Sequence, residues 1–203
     1  HWQITEVPED EVTPAHPADV FFEHVRQHVP LEKVIVGSHV GGRYADVRRY
    51  MDAELGPLIE IVSCWGVFEW LLWDALDGGH IVGVMCNSDG HKGRPGAEGP
   101  GAGDFGIASG LTCVLAKSLT RQDVFDALKA RRCYGTSGPR IGLDFAVNGK
   151  TMGSVLDAGT QQLRVAASVA GTAPIERLQL LCNRQVGHEV TTPAFADMTQ
   201  SKR

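Results

Sequence analysis

Two short stretches of this chain carry residue types suited to holding a divalent cation. Val36-Gly37-Ser38-His39-Val40-Gly41-Gly42 sets a histidine directly after an apolar run, and Cys86-Asn87-Ser88-Asp89-Gly90-His91 sets an Asp-x-His pair directly after another. A carboxylate and an imidazole leaving a strand on neighbouring turns can both reach one cluster of metal ions, and this donor mix suits zinc, manganese or iron. Side chains at the carboxyl ends of parallel strands converge on a common site. His39, Asp89 and His91 are therefore the candidate metal ligands. Arg43, Lys92 and Arg94 add positive charge beside them, suited to a phosphate-bearing substrate. No residue is singled out as acid, base or nucleophile. The plainer alternative for Asp89 is a turn former, since Asp and Gly favour turns. Glu60 in Leu58-Ile59-Glu60-Ile61 is either a ligand or substrate contact, or a carboxylate satisfied inside a buried strand.

Other motifs fail on their chemistry. His24 and His28 share a helix face, but Val25 stands where a zincin helix needs Glu, so a solvated face is the simpler reading. In the glycine-rich stretch 90–110, Gly93 rather than Ser or Thr directly follows Lys92, so it is no P-loop, and no helix follows it as a dinucleotide fingerprint requires. Trp65, Phe68, Trp70 and Trp73 read as helix packing.

These residues need elements to hold them. Apolar spacing predicts helices over 17–29, 67–76 and 120–130, with Thr120 as N-cap, and a polar stretch over 45–55 is compatible with a further helix. Short apolar runs predict strands at 33–37, 58–62, 81–86 and 111–116. Alternating strands and helices indicate βα units and a mainly parallel sheet. After Pro139 the pattern becomes purely β: apolar residues alternate over 141–147, Asn148-Gly149 signals a hairpin, and alternation returns over 163–169 and 178–182. The expected division is 1–139 and 140–203, the second part a small antiparallel sheet or half-sandwich of three to five strands.

Composition limits the function classes. The chain has 203 residues, 43% hydrophobic and 21% charged, enough apolar material for a real core. With 19 basic against 24 acidic residues the net charge is -5, which speaks against a general nucleic-acid binder. No apolar run reaches membrane-spanning length. The five cysteines are sparse and far apart, which reads as buried free thiols and favours a reducing, cytoplasmic compartment. His1 in place of Met suggests a piece of a longer chain.

Gly37-Ser38-His39-Val40-Gly41-Gly42-Arg43-Tyr44, Leu58-Ile59-Glu60-Ile61-Val62-Ser63, Trp65-Gly66, Phe68-Glu69-Trp70 and Asn87 through Gly96 occur in one order. They are followed by Gly110-Leu111-Thr112, Asp126-Ala127-Leu128 and Tyr134-Gly135-Thr136-Ser137-Gly138-Pro139-Arg140-Ile141. This succession resembles a bacterial family of unknown function related to the PHP (polymerase and histidinol phosphatase) superfamily of metal-dependent phosphoesterases. The resemblance implies the C-terminal part of a distorted (β/α)7 barrel, α/β in class, with two or three divalent metals at the strand ends. It makes His39 the late histidine ligand and Asp89 and His91 the closing pair. It also implies a metal-bound hydroxide attacking a small phosphorylated substrate. The family's opening His-x-His pair is absent, so the missing N-terminal half is the expected partner and the piece alone is expected to be inactive. The competing reading is a non-catalytic binding protein on the same scaffold, using the β-rich tail as its recognition surface.

Overall fold

The computed structural model describes residues 18–39, 46–93, 109–157, 159 and 162–191. Its elements run α1 (Ala18–His28), a 3-10 turn (Leu31–Lys33), β1 (Leu58–Ser63), β2 (Gly66–Val67), α2 (Glu69–Asp77), β3 (Gly83–Cys86), β4 (Leu111–Val114), α3 (Arg121–Lys129) and β5 (Cys133–Thr136). The remainder is strand: β6 (Gly142–Val147), β7 (Lys150–Thr151), β8 (Val165–Ala170), β9 (Arg177–Cys182) and β10 (Gln185–Thr191). Among the described residues no helix is long and apolar enough to cross a membrane.

The core forms on one face of β1. Ile59, fully buried, packs with Leu71 and Ala75 of α2 and with Val47, and Ile61, Phe68, Leu72 and Val84 close around them. The period-two alternation of a strand sends Glu60 to the opposite face. β1 pairs with β3 in parallel, from Leu58 opposite Gly83 to Val62 opposite Cys86, with a register shift between Glu60 and Val62. Ser38 makes an isolated parallel bridge to Ile59 on the other edge of β1. Three segments thus run side by side in one direction and finish together, at His39, at Cys64 and at Asn87.

The expected barrel is not there. The described residues hold three α-helices and four sheets of two or three strands, none closed on itself. β1 and β3 are the one parallel strand pair among them, and α3 leads into a β5 that lies antiparallel to β4. A parallel barrel needs every strand to repeat its predecessor's direction, and this reversal breaks the series. The α/β expectation gives way to small, mostly antiparallel sheets. The tail likewise splits into two sheets, β7-β6-β8 and β10-β9, rather than one.

Local readings fare unevenly for physical reasons. Thr120 caps α3, its hydroxyl accepting the Asp123 N–H at 3.1 Å. Asn148 and Gly149 both take positive φ, 51° and 74°, and turn β6 into β7. Residues 46–55 form turns instead of a helix, because the Asp46 and Asp52 carboxylates accept the N–H groups of Arg49, Glu54 and Leu55. Residues 34–37 carry no ladder of their own. Trp65 and Trp70, expected as packing, are half exposed, whereas the Trp73 ring lies under the Arg184 guanidinium at 5.6 Å.

Two contacts tie the parts together. Arg26 of α1 donates to the Asp52 carboxylate from Nε at 3.1 Å and to Glu54 at 2.7 Å. Burial pushes the Asp52 carboxyl up, but the Arg26 and Leu55 hydrogen bonds outweigh it and hold the group below its ordinary value. A depressed carboxyl stabilises the fold above its unfolded-state pKa and loses that contribution as pH falls through the folded value. Acid titration followed by circular dichroism is therefore expected to release α1 below the usual carboxylate range, and Asp52→Asn should abolish that transition. The second contact is Tyr134, whose hydroxyl donates to the Ile141 carbonyl at 2.7 Å and accepts the Leu143 N–H at 3.0 Å. Tyr134→Phe strips both groups of their partner, and urea denaturation is expected to show a loss of about 1–3 kcal/mol.

Candidate metal centre

Glu60 is 4% exposed, and its two carboxylate oxygens have different partners. His39 Nδ1 lies 2.9 Å from Oε2, and Asn87 Nδ2 donates to Oε1 at 2.8 Å. A carboxylate accepts only, so Nδ1 carries a proton toward Glu60, and Nε2 points away from it. That Nε2 faces Asp89 Oδ1 at 3.5 Å.

Asp89 itself sits at φ 48°, in the left-handed region that Asp tolerates better than most residues. The turn aims its carboxylate back over the sheet, where the side chain is only 7% exposed. Its other oxygen, Oδ2, accepts a hydrogen bond from Cys64 Sγ at 3.2 Å. Donor atoms of Cys64, Asp89 and His91 all lie within 4.8 Å of one another, with Cys64 buried, Asp89 half-buried and His91 exposed.

The backbone beneath is held firmly. Asn87 N–H donates to the Val62 carbonyl at 2.9 Å, and Thr112 Oγ1 accepts the Cys86 N–H at 2.9 Å while donating to its carbonyl at 2.8 Å. Gly135 lets β5 pass against the end of β3, since a Cβ there would stand 1.9 Å from Cys86 Sγ. Asn87 and Thr112 also line a cleft of about 560 Å³, whose other walls include Lys33, Val34, Leu58 and Met85.

The structure thus brings His39, Asp89 and His91 together. Lys92 lies exposed on the adjoining loop, and Arg43 and Arg94 fall outside the described residues. Cys64 was missed by sequence reasoning, although it leaves β1 just as His39 and Asp89 leave their own segments. Glu60 resolves as the residue that orients His39. None of the five cysteines forms a disulfide, but Cys182 is exposed and Cys113 half-buried, against the expectation that all would be buried. Burial, with smaller effects of Glu60, Cys133 and Glu69, pushes the Cys86 thiol up to about 12; burial, then Cys113, pushes Cys133 up to about 11. Both remain protonated and chemically quiet.

A family model described as a protein of unknown function, DUF3604, matches residues 98–171, a stretch that begins beyond His91. An uncharacterized protein of Chlamydia pneumoniae is 37% identical over 84 residues, covering 39% of this chain and 14% of the relative. One of Chlamydia muridarum is 26% identical over 161 residues, covering 67% of this chain and 26% of the relative. The chain spans well under two thirds of the length of these bacterial relatives. No solved structure matches.

Partners of a metal-binding histidine fix its tautomer and direction, and their loss typically weakens metal binding about 10–100-fold. Glu60→Ala is expected to lower zinc affinity in that range, measured by competition with a chromophoric chelator. Glu60→Gln, which keeps an acceptor for Nδ1–H, should lower it less.

Proposed function

We propose that this chain supplies a divalent-metal centre for hydrolysis of a phosphoester, in the manner of the PHP-like enzymes that its motifs resemble. The observation that carries the reading is the convergence of His39, Cys64, Asp89 and His91 at the ends of three parallel segments. The donor set fits the cation: the His91 imidazole, the Asp89 carboxylate and the Cys64 thiol lie around one point, with His39 Nε2 3.5 Å from the other Asp89 oxygen. Bound cations would supply Lewis-acid charge for the phosphoryl oxygens and activate water.

The chain's own residues prepare that chemistry. Glu60, itself held by Asn87, locks the His39 ring, so Nε2 is placed toward Asp89 without reorganisation. Lys92 sets positive charge at the exposed side of the cluster, where an anionic group would arrive. The cleft beside Asn87 and Thr112 offers room for the rest of a small substrate, with Lys33 among its walls.

Hydrolysis of p-nitrophenyl phosphate and a panel of phosphomonoesters and diesters, in zinc, manganese or iron, tests this on the longest natural polypeptide carrying the centre. Turnover is expected, and His91→Ala should lose both metal uptake and turnover while circular dichroism stays unchanged. Inertness of a metal-loaded protein across the panel overturns the hydrolytic reading, and unchanged metal uptake in the variant overturns the site.

A further inference from the structure

We infer that the cleft beside Asn87 is a binding site for a hydrocarbon anion, a molecule with an apolar body and one acidic group, and that Lys33 pairs with that group. The inference goes beyond the hydrolytic reading, which uses the cleft only as room, and it stands on the cleft's own walls. Val34 and Ile35 line it from the segment after the 3-10 turn, Leu58 from the start of β1, Met85 from β3, and Phe125 and Leu128 from α3. Leu58 is buried, whereas the other five are half-buried. Apolar side chains from four parts of the chain thus face one space of about 560 Å³. That size, with mostly apolar walls and few polar groups, is ordinary for a small-molecule site.

The polar walls decide the charge of the occupant. Asn87 and Thr112 are already engaged: Asn87 Nδ2 donates to Glu60, and Thr112 Oγ1 accepts the Cys86 N–H and donates to its carbonyl. Lys33 is different. Its backbone N–H bonds to the Pro30 carbonyl, but its exposed ammonium has no hydrogen bond or ion pair among the described residues. No acidic residue is among the walls. The unspent polar capacity is therefore a single positive charge, and an anion complements it while its hydrocarbon covers the apolar walls. Met85 suits a chain of variable shape, because its unbranched thioether adapts to irregular neighbours. Its Cε already reaches the neighbouring segment, where a Cβ on Gly37 would stand 2.9 Å away.

Decanoate is the probe, titrated calorimetrically below its micellar range into the longest natural polypeptide that carries the cleft. A chelator is present, so that no metal contributes to carboxylate binding. Binding at one site is expected. A buried methylene is worth about fourfold in affinity, so hexanoate should bind at least about tenfold more weakly. Decyltrimethylammonium, with the same hydrocarbon and the opposite charge, should bind severalfold more weakly, the modest ratio of an exposed ion pair. Lys33→Glu should invert that preference and Lys33→Arg should keep it, both with unchanged circular dichroism. In the unaltered chain the Met85 methyl resonance, assigned through Met85→Leu, should shift as decanoate binds. Decanoate that does not bind, or binds without moving that resonance, overturns the cleft as a ligand site. Equal affinity for decanoate and the ammonium, or a preference unchanged by Lys33→Glu, overturns the role of Lys33 and the anionic class. Each of these results leaves the metal centre to its own test through His91.

Discussion

Everything at the candidate centre depends on one buried carboxylate. Glu60 lies in the middle of β1 with almost no exposure, and a carboxylate there is costly unless both oxygens are satisfied. His39 and Asn87 satisfy them, one from each flanking segment. The constraint works in both directions. Glu60 stays buried because two donors reach it, and those donors are fixed because the carboxylate demands them. The ends of three chain segments become one rigid unit, with the reactive face of His39 aimed at Asp89.

The rest of the architecture serves that unit. α2 covers one face of β1 with apolar side chains, which frees the other face for polar residues. The register shift between Glu60 and Val62 adds a residue to β1 just before Cys64, and such irregularities commonly redirect a side chain near a site. Asp89 accepts a left-handed backbone to fold its carboxylate inward, so the turn reading and the ligand reading of this residue describe the same geometry. A strained or unusual backbone angle is sustained when the surroundings over-determine it, and here the N–H and carbonyl of the neighbouring Asn87 and Cys86 are pinned on both sides.

Legibility in the sequence tracked the range of the forces involved. α2, α3 with its Thr120 cap and the Asn148-Gly149 turn arise from contacts a few residues apart, and they were readable. The helix expected over 45–55 failed to form because Asp46 and Asp52 offered the backbone nearer partners than a helical ladder. The barrel failed because apolar periodicity marks a strand without fixing its direction, and β5 reversed against β4. His39, Asp89 and His91 were readable as residues that follow apolar runs. Cys64 was not, since a cysteine among apolar neighbours looks like packing until its sulfur is seen beside a carboxylate.

What the sequence determined by itself was the supply of donors and the local turns that present them: His39, Asp89 and His91 just after apolar runs, glycines around them, and Thr120 and Asn148 at their elements' ends. Tertiary structure alone decided which donors meet. Parallel pairing of Ser38, β1 and β3 set three distant segments in step, brought Cys64 to Asp89, and converted Glu60 from an anomalous strand residue into the support of His39. The reason is physical. Donor type is a property of a side chain, whereas convergence is a property of strand direction and register, which only the packed sheet defines.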